Sequence, residues 1–303
     1  MSEQRRGVAF GFAAYGIWGL FPLYWPLLEP AGAGEILAHR LLWSLVVMGV
    51  LVVALRRWSR LRALLADRRR MRILPLAAVA VSLNWLIYIG AVNSGHVVEA
   101  SLGYFVNPLV TVLFGVLLLG ERLRPMQWAA LGVAALAVVV LTLDLGRPPW
   151  IALGLALSFG SYGLLKKRAD AGAIESLTVE TAVVAPIALA YVAWLGALGR
   201  GHFVGEGPTL TTLLIGSGVV TVVPLLCFGA AATRIPLTML GLLQYLTPIA
   251  QFLLGVLYFH EYMPPGRWAG FALVWVALVA FTVEALTHAR REQLRRAAES
   301  AAI

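Results

Sequence analysis

The sequence predicts an all-α membrane protein of ten transmembrane helices in two inverted five-helix repeats. Three observations carry that expectation: composition, a series of apolar stretches of one length, and an internal repeat. Of 303 residues, 60% are hydrophobic and 13% charged, with a mean hydropathy of +0.83. A soluble domain carries about a quarter charged residues, so an ordinary cytosolic enzyme is excluded. One bilayer core is crossed by about 20 apolar residues in a helix, which leaves length for about ten crossings and no separate soluble domain. Ten Trp, nine Tyr and twelve Phe suit a lipid-embedded chain, because amphipathic rings settle at membrane interfaces. The single cysteine, Cys227, excludes an internal disulfide and a Cys-based zinc site.

The apolar stretches run over 7–28, 34–55, 72–92, 99–119, 126–144, 149–165, 175–198, 209–231, 237–259 and 266–287. In hydrocarbon every backbone N–H and C=O must be paired within the segment. Continuous runs of this length are therefore helices rather than the roughly ten-residue alternating strands of a barrel. The first follows Arg5 and Arg6 and starts like a signal peptide, but it lacks an Ala-x-Ala site and has full spanning length. Its Gly7 and Gly11 form a small-xxx-small pair that lets a neighbouring helix approach. The second holds His39 and Arg40 nearly two turns in, and the seventh holds Glu180 at a corresponding depth. Between the second and third lies the one sizeable polar connection, 56–72. The fourth and ninth close on Glu121 and Glu261, each four residues before a proline, Pro125 or Pro265, near the start of the next helix. Those two glutamates read as polar caps of a tight turn into the following span.

Lys and Arg resist translocation and collect in cytoplasmic connections, so their distribution orients the spans. With the N-terminus inside, twenty of the 24 basic residues fall in inner segments, only Arg147, Arg200 and Arg267 in outer ones, and Arg40 within a span. An even number of spans with both termini cytoplasmic follows, in a bacterial inner membrane. The net charge of +9 is thereby assigned to topology, not to nucleic acid, which would need a basic stripe on a soluble fold. The basic end, 289–303, reads as a cytoplasmic tail lying near anionic membrane lipid.

Pro108, Gly115, Glu121, Pro125, Trp128 and Thr142 recur 140 residues later as Pro248, Gly255, Glu261, Pro265, Trp268 and Thr282, and Asp144 is answered by Glu284. Nearer the front of each half the offset is 147: Gly7, Ala9, Phe12, Tyr15 and Gly16 recur as Gly154, Ala156, Phe159, Tyr162 and Gly163. The chain divides into a first repeat, 1–145, and a second, 146–288. Five spans is an odd number, so the second copy enters from the opposite side. Inverted pairs of this kind build many secondary transporters, because exchanging the two halves' conformations opens a midplane site first to one side and then to the other.

Polar groups inside a bilayer are costly, so those near mid-depth are the site candidates. Asn84 and Tyr88 lie on one face of the third span beside Trp85; Ser101, Tyr104, Pro108 and Thr111 form a stripe on the fourth. Gly241, Gln244, Pro248, Gln251 and Gly255 repeat that stripe on the ninth. Pro108 cannot donate to the carbonyl of Tyr104, nor Pro248 to that of Gln244, so each is expected to break its helix and free an acceptor at mid-depth. Asn84, Trp85, Tyr88, Tyr104, Asn107, Gln244 and Tyr245 are the expected cavity lining, the rings by stacking and the amides by hydrogen bonding. The alternative is that the prolines kink helices and the amides knit neighbours together. Arg40 reads either as an anchor whose head snorkels outward or as a contact for an anion or a substrate carboxylate. His39 titrates near neutrality and would suit proton coupling, as would Glu180, although a lone histidine is more often structural.

The runs Asn84-Trp85-Leu86-Ile87-Tyr88 and Glu99-Ala100-Ser101-Leu102-Gly103-Tyr104-Phe105-Val106-Asn107-Pro108-Leu109 resemble the RarD group of the EamA family, in the drug/metabolite transporter superfamily. The stretch from Pro236-Leu237 through Gly241, Gln244-Tyr245 and Pro248 to Phe252 fits the same group, as does Glu35 to Ser44 with His39-Arg40. The resemblance spans nearly the whole chain. It implies a ten-helix inner-membrane carrier with two EamA repeats, helices three, four, eight and nine surrounding the substrate path.

The function expected is secondary transport of small organic metabolites or drug-like solutes by alternating access, with export the favoured direction. No cofactor, catalytic residue or metal site is expected. His-Glu-x-x-His, Gly-x-Ser-x-Gly and the ATP-binding Gly-x-x-x-x-Gly-Lys-Ser/Thr run are absent, so energy comes from a gradient or from the solute. A non-transporting scaffold, a receptor subunit or a membrane-embedded enzyme are the competing classes. Sequence alone leaves the oligomeric state open.

Overall fold

The computed structural model describes residues 3–119, 125–232, 234–235 and 243–301. Glu121 and Gly241 lie outside these residues, and the side chain of Thr111 is likewise outside the description. The regular structure of the described residues is all helical: α1 (Glu3–Gly19), α2 (Ala33–Ala54), α3 (Trp58–Ala66), α4 (Arg68–Asn93), α5 (Val97–Leu119), α6 (Pro125–Leu145), α7 (Trp150–Ala169), α8 (Ala173–Ala197), α9 (Pro208–Ala232), α10 (Leu246–Leu253) and α11 (Pro265–Ala301). Among the described residues, six stretches are long and apolar enough to cross a membrane: α2, α4, α6, α8, Pro208–Ala231 and Pro265–Glu284. Shorter apolar helices lie at Val97–Val110, Trp150–Lys166 and Leu246–Tyr258. Their outer faces are apolar too, with Val53 74%, Leu143 77% and Ile187 72% exposed, the inverse of a water-soluble surface.

Local sequence explains where the helices depart from the expected spans. The stretch 7–28 is not one helix: α1 stops at Gly19 and the chain continues in two short 3-10 turns, Phe21–Leu23 and Trp25–Leu28. Pro22 and Pro26 each sit in the first turn of one of them, where a missing N–H costs least, and two rings four residues apart disfavour extending α1 through both. The polar connection 56–72 carries α3, which packs Leu61 and Leu64 inward; Asp67 then caps α4 by accepting from the backbone N–H of Arg69 and Arg70. The break expected at Pro108 is a correction: α5 continues through it, because one lost hydrogen bond does not unwind a helix whose neighbouring turns are buried. Pro248 lies in the first turn of α10, which ends in a π turn at Leu254–Tyr258.

The packing is non-sequential. α2 packs on α8 and α9, α4 on α7 and α8, α1 on α9 and α10, α5 on α7 and α10, and α6 on α11. Close approach depends on glycine at particular points. A Cβ on Gly218 would sit 2.5 Å from the Trp43 carbonyl carbon, and one on Gly103 would sit 2.8 Å from the Ala152 carbonyl oxygen. Gly218→Val should therefore separate α2 from α9 and destabilise the protein by about 3 kcal/mol, the upper end for overpacking. Gly163→Ala, with nothing within 4 Å, should leave stability unchanged or raised. Melting temperatures in detergent test both.

Candidate functional site

Where α2, α4 and α9 meet, Arg40 is buried to 2% exposure. Its Nε donates to Thr221 Oγ1 at 2.8 Å, and its Cζ lies 3.9 Å from the Trp85 ring centroid, 5.0 Å from that of Trp25 and 5.6 Å from that of Phe21. The aromatic faces partly replace water around the cation. Nη1 is nevertheless buried without a hydrogen-bond partner among the described residues, as are Trp25 Nε1, Ser44 Oγ and the Tyr88 hydroxyl. The outward-snorkelling alternative for Arg40 is thus corrected: the short reach to Thr221 and the aromatic cage hold the head inside.

Beside this cage, Asn84 joins three helices. Its Nδ2 donates to the Leu155 carbonyl and to Ser158 Oγ, both at 3.0 Å, while its Oδ1 accepts from the Tyr104 hydroxyl at 3.3 Å. The Tyr104 ring meets Tyr88 edge-on at 5.6 Å and Phe159 at 6.2 Å. A polar seam therefore crosses α4, α5 and α7 next to Arg40 and Trp85.

A second polar cluster lies at the opposite end of α7 and α8. Glu180, 1% exposed at the side chain, accepts from Lys166 Nζ at 2.8 Å and from the Tyr162 hydroxyl at 3.2 Å; Lys166 also donates to Ser176 Oγ. A cleft of about 290 Å³ opens onto this cluster, lined by Met48, Tyr162, Lys166, Glu175, Leu226 and Phe228 among others. Tyr162 packs with Trp85 in one hydrophobic cluster, which links the cleft to the aromatic cage.

Buried carboxylates clasp the connections at both ends of the molecule. Glu35 accepts from the His202 backbone N–H at 2.6 Å and meets His202 Nδ1 at 2.8 Å. The same connection stacks Phe203 on His39, centroids 4.6 Å apart. Glu175, 140 residues beyond Glu35, meets Arg57 at 3.3 Å. Glu99 is held by Arg147 at 2.9 Å. Glu261 is a further correction: its carboxylate does not cap the turn into the next helix but crosses to the start of α5, accepting from Val97 N–H at 2.5 Å and Val98 N–H at 3.0 Å. Those two N–H groups are orphaned by the helix start and attract an anion. Burial raises the Glu261 pKa, against the two donors, which lower it.

The expected lining residues fall into two groups. Asn84, Trp85, Tyr88 and Tyr104 come together around Arg40, and Asn107 is buried on the same helix as Tyr104. Gln244 is half-buried, and Tyr245 packs in a separate cluster with Phe105, Phe252 and Phe271. In the ninth-span stripe, Gln251 donates to the Trp18 carbonyl at 3.1 Å, so that side chain knits α10 to α1. Arg40 and Glu180 do not pair, since each has its own partners. Tyr162, Lys166, Thr221, His202 and Phe203 were not singled out from sequence as site residues. The 140-residue spacing of Glu175 from Glu35, the offset of the repeat, is the sequence signal that could have pointed to the clasps.

The chain is similar to known proteins along nearly all its length. Residues 5–143 match the EamA-like transporter family. A RarD protein of Streptomyces exfoliatus is 58% identical over 97% of this chain and 93% of its own. The RarD protein of Escherichia coli K12 is 43% identical over 95% and 98%. A solved crystal structure, 19% identical, superposes with a TM-score of 0.59 over 93% of this chain and 98% of that one.

Proposed function

The chain belongs to the RarD group of the EamA-like transporter family, and from that premise we propose that it is an inner-membrane secondary transporter of small organic solutes working by alternating access. Membership makes it a multi-pass bacterial membrane transporter; no enzymatic family is indicated. The finer reading is ten spans in two inverted repeats, 1–145 and 146–288, both termini cytoplasmic, the 289–303 tail on the inner surface, and export as the direction.

The observation that carries it is the pairing of helices. Take α1, α2, α4, α5 and α6 as one half and α7, α8, α9, the α10 region and α11 as the other. Exchanging the halves turns α1 on α9 into α7 on α4, α5 on α7 into α10 on α1, and α2 on α9 into α8 on α4, each a pair that packs. The contacts α2 on α8, α5 on α10 and α6 on α11 map onto themselves. Two interchangeable halves are what rocking between inward and outward states requires. The ion pairs support the sorting of the connections onto two sides. Glu35 with His202, Glu99 with Arg147 and Asp144 with Arg267 join segments assigned outside, while Glu175 with Arg57 and Glu3 with Arg234 join segments assigned inside.

In this reading the solute occupies the seam lined by Asn84, Trp85, Tyr88, Tyr104 and Asn107, with Gln244 and Tyr245 completing the path from the other half. The cleft beside Lys166 is the cytoplasmic entrance. His39 and Glu180 are the candidates for proton coupling. The test is reconstitution in liposomes and flux of a metabolite panel with and without a proton gradient. Uptake or release of at least one solute is expected, reduced at least tenfold by Asn84→Ala, Tyr104→Ala or Gln244→Ala with protein level unchanged. Loss of gradient dependence in His39→Gln or Glu180→Gln would assign the coupling. Unchanged flux in all three alanine variants would remove the lining, and no flux in any condition would remove the transport reading.

A further inference from the structure

Among the described residues, the ion-paired arginines are partly exposed, whereas the buried Arg40 is paired with no carboxylate. Arg147 lies on Glu99, Arg57 on Glu175 and Arg234 on Glu3, all of them partly exposed at the arginine. Arg40, at 2% exposure, has a single neutral acceptor, Thr221 Oγ1, and a buried Nη1 with none. A guanidinium cannot shed its charge and presents five donors, and a buried charge left unpaired is costly. The buried carboxylates are engaged elsewhere. Glu35, five residues earlier on the same helix, is taken by His202; Glu180 by Lys166 and Tyr162; Glu99 by Arg147 and the Ile151 N–H. What surrounds Arg40 is aromatic or uncharged: Trp85, Trp25 and Phe21 by their faces, and the neutral Tyr88 hydroxyl and Trp25 Nε1, both without partners among the described residues.

Building on the transport reading, we propose that Arg40 receives a carboxylate group of the solute, which accepts from the vacant Nη1 while a flat apolar body lies along the rings of Trp25, Tyr88 and Tyr104. A carboxylate supplies the missing countercharge and strong, charge-assisted hydrogen bonds. A cationic solute would meet the guanidinium's charge and find no free acid beside it. A neutral solute would leave the charge as unpaired as before. The substrate class is therefore a small monocarboxylic acid with an aromatic or otherwise planar body.

The probes are benzoate, benzamide, benzylamine and inorganic phosphate, titrated calorimetrically into the full-length protein in phosphatidylcholine nanodiscs. Benzoate should bind saturably and at least tenfold more tightly than benzamide, with benzylamine giving no heat of binding. Arg40→Gln should weaken benzoate at least tenfold without changing benzamide, and Arg40→Lys should recover part of the loss. The discrimination by the unmodified protein decides the matter even where Arg40→Gln fails to fold. Equal binding of benzoate and benzamide, no binding of benzoate, or tighter binding of phosphate than of benzoate would each overturn the assignment. Flux in liposomes separates this from the transport reading. Selective benzoate binding without flux of any solute would leave the carboxylate site standing and remove transport; flux of neutral or cationic solutes without benzoate binding would do the reverse.

Discussion

Lys166→Met should lower the stability of the purified protein by about 3 kcal/mol, and Lys166→Met combined with Glu180→Gln should restore most of it. The asymmetry of exposure sets the size of the effect. Glu180 is 1% exposed at its side chain and Lys166 25%, so removing the lysine strands a carboxylate that water cannot reach. Only the Tyr162 hydroxyl at 3.2 Å would remain to it. Breaking a buried pair by deleting one partner typically costs about 3–5 kcal/mol, whereas replacing both partners by neutral groups is often close to neutral. The partial exposure of Lys166 places the expectation at the lower end. Thermal melts in detergent for the two single variants and the double variant close the cycle. A double variant no more stable than Lys166→Met would show that the lysine acts by packing against Tyr162, whose ring centroid lies 5.7 Å from Nζ, and not by pairing with Glu180.

That pair also marks what could and could not be read from the chain. The all-helical class was legible because a bilayer leaves the backbone few options, and apolar stretches of one length are its direct imprint. The 140-residue offset was legible through residues that shape backbone, such as Pro108 and Pro248 or Gly115 and Gly255. Long-range side-chain partners were not. Lys166 sits in a basic run that the expected topology assigns to an inner connection, and nothing local in it signals that its ammonium turns back toward Glu180. Glu261 was read as a cap, and it is one, but of α5, whose start lies 164 residues earlier in sequence. A carboxylate's target N–H groups are fixed by packing, which spacing does not encode. The first span misled for the opposite reason. Its hydropathy continues through Phe21, Trp25 and Leu28, which are buried against other helices, while the two prolines had already ended the helix.

Opening the connection between α8 and α9 should expose the Arg40 region from outside by at least tenfold in labelling rate. This connection reaches back over α2. Its His202 is held by Glu35 through both the backbone N–H and the ring, and its Phe203 lies flat on His39 and tilted against Trp43. Gly199, Gly205 and Gly207 have φ of 64°, 114° and 99°, backbone conformations that other residues adopt at a cost. The segment's shape therefore depends on glycine, and its hold on α2 on the His202 clasp and the Phe203 ring. Removing the stacking ring in Phe203→Ala, or the clasp in Glu35→Ala in the first turn of α2, should lift it and leave the body of α2 below in place. Ser44→Cys in a Cys227→Ser background is the reporter, since Ser44 is fully buried one turn beyond Arg40. An impermeant thiol reagent added to intact cells should modify it slowly in the parent and at least ten times faster in either variant. Ala63→Cys on the exposed face of α3, assigned inside, should stay unmodified throughout. Equal rates in parent and variants would mean that the connection does not close the outer side. Labelling of Ala63→Cys from outside would turn the whole assignment of faces over, and with it the identification of the Lys166 cleft as the cytoplasmic entrance.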